Sequence, residues 1–311
     1  MSTDPTRPPA GEKHVYLLAH TPFKQFMDYM STEPVDAQTT DRRRVADEWR
    51  AAHEYVRELG LAEAGWADNP PRSAVPAEME PLVTRVLADP VYHKAFTSVP
   101  VEIGLVELDR LVVRQKAINL VHVQRLKDRL GSNPSQEAVF RFCLPFDHPM
   151  VPYRYGYVSD NTFVFISESN DIRFLDSLVL RPDQITNYQT SGPIAGVLGL
   201  VVGYGSNYLN VVFTEGRMVL NNGSNRAYAL RDLGITHVPA VIQNVATREE
   251  LSVVAAGALR RDPDLYLKQL RPPVLRDYFD PRLCRIVYLA PTARHVRIRF
   301  TTETFDVPEK S

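Results

Sequence analysis

The stretch that most constrains the fold runs through residues 211–242. Val211-Val212-Phe213, Glu215-Gly216 and Met218-Val219-Leu220 read as a tight β-hairpin. The second strand runs straight into Asn221-Asn222-Gly223-Ser224-Asn225-Arg226. A helix follows, with Ala227, Leu230 and Leu233 on one face and Gly234 as its stop, and then a strand over residues 238–242. Strand, turn, helix and strand in so short a span demand a sheet with helices packed on it. The expected class is therefore α+β, a mixed α/β fold.

The turn itself carries chemistry. Gly223 permits an unusual backbone angle. The first N–H groups of the helix after it have no intrahelical partner, and the helix dipole adds positive partial charge there. Together these make an anion site before any side chain is counted. Arg226 adds a planar, permanently charged fork suited to phosphate or carboxylate. Ser224 and Asn225 add neutral hydrogen-bonding groups, with Asn221 and Asn222 close in sequence.

Around this turn the chain divides by pattern. Residues 1–12 are expected to form a flexible tail, and residues 13–95 a helical N-terminal extension. Within that extension, Thr21-Pro22 opens one helix, and a second spans residues 41–59, closed by Gly60. The Arg42-Arg43-Arg44 run at its start is unusual, because a helix N-terminus disfavours cations. Extended segments at residues 99–108 and 111–113 lead to Asn119 as N-cap, a helix with Leu120, Val123, Leu126 and Leu130 on one face, and Gly131 as its end. Residues 138–213 read as a β-rich insertion. There Tyr153, Tyr155 and Tyr157 alternate along one strand, and Phe163 and Phe165 along the next. This aromatic face is expected to form a one-sided β core, although such rings could also stack on bases. Residues 246–311 form a C-terminal helix and strand segment, opened by the capping box Thr247-Arg248-Glu249-Glu250.

Composition narrows the function classes. With 36 basic and 37 acidic side chains the formal charge is -1, so no global field draws the chain onto DNA. Two scattered cysteines, Cys143 and Cys284, make neither a disulfide framework nor a zinc site. The 8 histidines show no metal spacing. The N-terminus lacks a signal-like apolar core, and the longest uncharged apolar run, residues 194–204, is too short to span a bilayer. A cytoplasmic protein without a membrane segment is expected.

Gly223, Arg226, Ala229, Gly234, Val238 and Pro239 stand as G-x-x-R-x-x-A-x4-G-x3-V-P. This pattern resembles the second box of the ParB/sulfiredoxin superfamily. Residues 105–115, Leu-Val-Glu-Leu-Asp-Arg-Leu-Val-Val-Arg-Gln, resemble its first box. The resemblance covers roughly residues 99–245 and implies a ParB/sulfiredoxin-like core at residues 96–245, interrupted by the insertion. It implies that Gly223, Ser224, Asn225 and Arg226 hold the phosphates of a nucleotide, with Asn222, Arg114 and Gln115 beside the same pocket. Phosphoryl transfer or nucleotide hydrolysis would imply Mg2+ with the nucleotide.

Departures from the family pattern limit the reaction. Ser224 stands where sulfiredoxins carry a cysteine, and a hydroxyl cannot form thiolate-derived intermediates. Asn222 and Gln115 stand where the serine kinases of the family carry acids, and amides cannot act as general bases. Glu102, Glu107 and Asp109 are the carboxylates that could substitute. The partition proteins carry a helix-turn-helix after the core, and none is evident in residues 246–311. Two other readings accompany the nucleotide site. One is a protein-binding scaffold, using the insertion and the N-terminal helices. The other is nucleic-acid binding through a local patch of Arg42, Arg43, Arg44, Arg114, Lys116 and Arg226.

Overall fold

The computed structural model describes residues 11–18, 20–169, 171–187, 189 and 192–307. Residues 1–10 of the expected tail lie outside the described residues. The chain forms two compact units, residues 1–147 with 207–291 and residues 148–206 with 292–311.

The first unit opens with β1 (Glu12–Leu17), α1 (Phe23–Thr32) and α2 (Arg42–Ala62). The arginine run at the start of α2 is offset by its N-cap: Asp41 accepts from the Arg43 and Arg44 amides at 2.9 and 3.4 Å. Then come β2 (Arg72–Ala74), α3 (Glu80–Leu87), α4 (Pro90–Ala95), β3 (Val101–Glu107), β4 (Ala117–Asn119), α5 (Leu120–Leu130) and α6 (Gln136–Cys143). The Asn119 side chain caps α5 by accepting from the His122 amide at 2.9 Å, and Gly131 closes it with φ +84°.

The second unit holds β5 (Tyr153–Ser159), β6 (Thr162–Ser167), β7 (Ile172–Leu180) and β8 (Val197–Tyr204). The chain then returns to the first unit through β9 (Asn210–Thr214), β10 (Arg217–Asn222), α7 (Ser224–Asp232), β11 (His237–Asn244), α8 (Arg248–Val254), α9 (Gly257–Arg261), α10 (Asp264–Leu267) and β12 (Cys284–Leu289). A last strand, β13 (Arg294–Arg299), belongs to the second unit.

The main sheet has the order β10-β9-β11-β3-β2, with β9 parallel to β11 and the other pairs antiparallel. Both of its faces are covered near β9 and β10. Val211, Met218 and Leu220 join one core cluster with residues of α5, α6 and α7. Val212 and Val219 join a second cluster with Leu251, Leu259 and Tyr266. This is why these strands read as unbroken apolar runs instead of an alternation. A second sheet, β12-β1-β4, packs against α1 and α2 through Tyr16, Phe26, Val45 and Val287.

Three expectations change here. Residues 12–17 are a central strand, in register with β12 on one side and β4 on the other. The expected insertion begins later, because residues 136–143 are helical despite their β-prone Val-Phe-Arg-Phe run. Ser135 caps that helix by accepting from the Ala138 amide at 3.2 Å. It also ends earlier, because β9 belongs to the main sheet. The C-terminal segment serves both units, through β12 and β13.

In the second unit, β6 is the middle strand between β13 and β5, and β7 and β8 form a separate antiparallel ribbon. The aromatic face is not a covered core: Tyr153, Tyr155 and Tyr157 are 46, 70 and 74% exposed. Alternation fixed which residues share the face, but it carries no information about whether anything covers that face. Among the described residues no helix is long and apolar enough to cross a membrane.

Candidate functional site

Gly223 joins β10 to α7 with φ +99°, a left-handed angle that a side chain resists. A Cβ there would also lie 3.2 Å from the Leu209 side chain. Glycine supplies no capping side chain, and the first intrahelical bond runs from the Ala227 amide to the Gly223 carbonyl at 2.8 Å. The amides of Ser224, Asn225 and Arg226 precede that bond, so the start of α7 keeps its donor groups and its positive dipole end.

Arg226 does something other than the resemblance implies. It is only 5% exposed. Its Nη1 donates to the carbonyls of Phe142 and Cys143 at 3.1 Å each and of Asn207 at 2.7 Å. The arginine thus ties the C-terminal carbonyls of α6 to the segment entering β9. Cys143 lies fully buried beside it, and burial pushes the thiol up to about 12, so it is not a nucleophile.

Among the described residues, the side-chain amides of Asn221 and Asn222 are bonded on one side only. Asn222 donates from Nδ2 to the Tyr208 carbonyl at 3.0 Å, and Asn221 from Nδ2 to the Val254 carbonyl at 3.2 Å. The Oδ1 atoms of Asn221 and Asn225 are buried without a hydrogen-bond partner. Ser224 is half-buried.

Arg114 reaches this place. Its Nη2 donates to the Asn221 carbonyl at 2.5 Å, and its Nε is buried without a hydrogen-bond partner. It pairs with no carboxylate among the described residues. Burial lowers its pKa, the direction expected of a cation short of a counter-charge. Gly257, with φ +57°, opens α9 against it: a Cβ there would sit 3.0 Å from Arg114 Nη1. Lys116 follows two residues later. Burial lowers its pKa first and Arg261 second, so these two cations share a neighbourhood. Tyr266 feels Arg114, then the Asp262 carboxylate and then Arg261, so these charges share one neighbourhood, and Lys116 donates to Gln25 Oε1 at 2.9 Å. Gln115 folds onto its own backbone, donating to the Ala117 carbonyl at 2.7 Å.

Glu107 and Asp109 lie at the other end of α7. Asp109 accepts from Arg231 Nε at 3.0 Å, in the last turn of the helix, and Glu107 pairs in register with His237 just beyond it. A cavity of about 490 Å³ opens at this end, lined by α2, Arg231 and residues 271–283. Its arginines are all paired. Arg271 meets Asp277 through two contacts of 2.5 Å and Glu63 at 3.2 Å. Arg276 also bonds Glu63, and Arg282 bonds Asp280 at 2.9 Å. Three of these guanidinium groups lie over rings: Arg231 on Phe279, Arg276 on Trp66 and Arg282 on Tyr55.

The structure therefore brings Arg114, Asn221, Asn222, Ser224 and Asn225 together, buries Arg226 beneath them, and removes Glu107 and Asp109. Sequence reasoning missed Gly257 and Arg261. Their only local signal is a glycine two residues after Ala255, followed by the Arg260-Arg261 pair. No group of three or more His, Cys, Asp or Glu side chains that could hold a metal ion occurs among the described residues. In comparisons with known proteins, no family model, no curated protein and no solved structure matches this chain.

Proposed function

We propose that this is a ParB/sulfiredoxin-type protein that binds a phosphate-bearing ligand, a nucleotide in the first instance, at the N-terminal end of α7. The observation that carries this reading is Arg114. It is a half-buried guanidinium with no carboxylate partner, beside a helix start that has no side-chain cap. Leaving a buried charge uncompensated is costly, and an anion that meets both the guanidinium and the helix amides removes that cost. Lys116 and Arg261 add cations to this neighbourhood, with the Asp262 carboxylate among them.

The residues around the turn suit phosphate better than metal. The groups named at the turn are cationic or amide, so Mg2+ would be held by the phosphates of a nucleotide. Glu107 and Asp109 are the carboxylates that would have supported phosphoryl transfer, and they stand at the far end of the helix. The reading is therefore ligand binding, with Arg226 setting the frame of the turn from below.

A thermal-shift series tests this. Wild type and Arg114→Ala are compared with ATP, CTP, GTP and ADP, each with and without Mg2+, and with inorganic pyrophosphate. A ligand at 100 times its Kd adds about 2.7 kcal/mol, an easily measured rise in Tm. The expected result is a rise in wild type that Arg114→Ala loses. No rise with any of these compounds would sink the reading and leave a protein-binding scaffold in its place.

A further inference from the structure

The aromatic sheet of the second unit has properties that the site on α7 does not use. Tyr153, Tyr155 and Tyr157 of β5 stand in register with Ser167, Phe165 and Phe163 of β6, and those with Arg294, Val296 and Ile298 of β13. One face therefore carries rings on two neighbouring strands. The rings form two sets on this face, one of Tyr153 with Tyr155 at 6.4 Å and Tyr155 with Phe165 at 5.9 Å, and a second of Tyr157 with Phe163 at 4.6 Å. Phe300 extends the second set beyond β13, stacked on Phe163 at 6.1 Å. Such rings normally sit in a core. Here the tyrosines and Phe300 are exposed.

Charge selects the occupant. The strands β5, β6 and β13 together carry Arg154, Arg294, Arg297, Arg299 and His295, and no aspartate or glutamate. None of these four arginines has an ion-pair partner among the described residues. Arg294 shares the aromatic face. The other three alternate to the opposite face, but they stand exposed on the two outer strands, at the rim of the sheet. The described carboxylates of this unit lie off the sheet, in turns, loops, β7 and the 3-10 turn Pro182–Gln184.

We infer that this sheet binds single-stranded nucleic acid, with bases stacked on the tyrosines and phosphates following the arginine rim. An apolar protein partner would have no use for unpaired arginines around the rings. A duplex keeps its bases stacked on one another and cannot offer their faces. A single strand supplies both a π-face for each ring and an anion for each guanidinium, which is the pattern of sequence-tolerant strand binding. This site is independent of the nucleotide reading.

The test is fluorescence anisotropy of the full chain with labelled 20-mers of oligo(dT) and oligo(U) and a DNA duplex of equal length, at 50 and 200 mM salt. Wild type binds a single strand in preference to the duplex, and whether dT or U binds more tightly decides between DNA and RNA. Tyr155→Ala and Tyr157→Ala each weaken binding roughly 5- to 150-fold, while Tyr155→Phe and Tyr157→Phe retain it. Changing Arg294, Arg297 and Arg299 to Gln lowers the log–log salt slope by about 2. Arg114→Ala binds like wild type. No binding of either single strand at 50 mM salt overturns the inference. So does equal binding of the duplex, loss with Arg114→Ala, or tyrosine variants that bind unchanged.

Discussion

The two ends of α7 are both rich in basic side chains, and they treat charge in opposite ways. At the C-terminal end every arginine lining the cavity is matched: Arg231 to Asp109, Arg271 to Asp277 and Glu63, Arg276 to Glu63, Arg282 to Asp280. At the N-terminal end Arg114, Lys116 and Arg261 have no ion-pair partner among the described residues. Cavity volume does not choose between them, since the cavity of about 490 Å³ at the first end is matched by one of about 480 Å³ beside Arg44, Glu48 and Arg285. Charge balance points to the second. A guanidinium that already holds a carboxylate on its edge and a ring on its face is spent on the fold, whereas an unmatched one beside a helix start is available to a ligand. Arginine content does not mark an anion site; the absence of a counter-charge on the guanidinium does.

This comparison can be broken most sharply at the matched end. Arg271 and Asp277 have side chains only 3 and 2% exposed. Asp277→Ala strips the buried Arg271 of its two shortest contacts and leaves only Glu63, at 3.2 Å, to meet its charge, so it should lose about 4 kcal/mol of unfolding free energy in urea denaturation. A loss below 1 kcal/mol would mean that the pair does not hold this end together.

A second effect belongs to the same end and depends on pH. Burial depresses the pKa of His20 to about 4, helped by the neighbouring Arg271 charge and by His53, and opposed by the bond to Gln269. The folded state thus favours the neutral ring. Its contribution is complete above the unfolded pKa near 6.5 and is lost as pH falls from there toward 4. Over that window wild type should lose about 3 kcal/mol more than His20→Asn. Asparagine tolerates the left-handed backbone at this position, φ +67°. Parallel pH–stability curves for the two proteins would remove His20 from the matched cluster.

At the other end the effects on the unliganded protein are smaller. Gly223→Ala meets both a strained φ and the Leu209 side chain, and should cost about 1–2 kcal/mol in the same denaturation assay. It should also weaken any ligand bound at the helix start. Arg114→Ala is the smallest and most telling change. It removes an uncompensated half-buried charge but also the bond to the Asn221 carbonyl, effects of opposite sign, so it should alter unliganded stability by no more than about 1 kcal/mol. A loss as large as that of Asp277→Ala would make Arg114 another structural arginine and erase the contrast.

Much of the fold could be read locally because its signals are local. The caps Asn119 and Thr247, the stops at Gly131 and Gly234, and the left-handed Gly223 each act within a few residues of themselves. What could not be read was set across the chain. β1 becomes a strand because residues 117–119 and 284–289 flank it, and nothing near residue 12 announces either partner. Arg226 looks like a ligand arginine in sequence because its targets, the carbonyls of Phe142, Cys143 and Asn207, are visible only in three dimensions. Asp109 and Arg114 stand close in sequence, but Asp109 lies in the short 3-10 turn of residues 108–110 and Arg114 at the end of the extended segment after it, which runs beside β10 through Val112. One therefore bonds Arg231 in the last turn of α7, and the other bonds the Asn221 carbonyl just before the helix begins.

The placement of β12 and β13 also governs the order in which the protein can be made. β1 is synthesised early, but one of its two partners is residues 284–289. The second unit waits in the same way for residues 294–299 to complete its three-stranded sheet. Until the ribosome has passed both segments, each unit keeps an open strand edge, and an open edge is a template for wrong pairing. Sixteen residues near the C-terminal end of the described chain, 284–299, therefore close both units in quick succession. A nascent chain stalled at residue 283 should be recognised by chaperones and proteases as unfinished in two places at once.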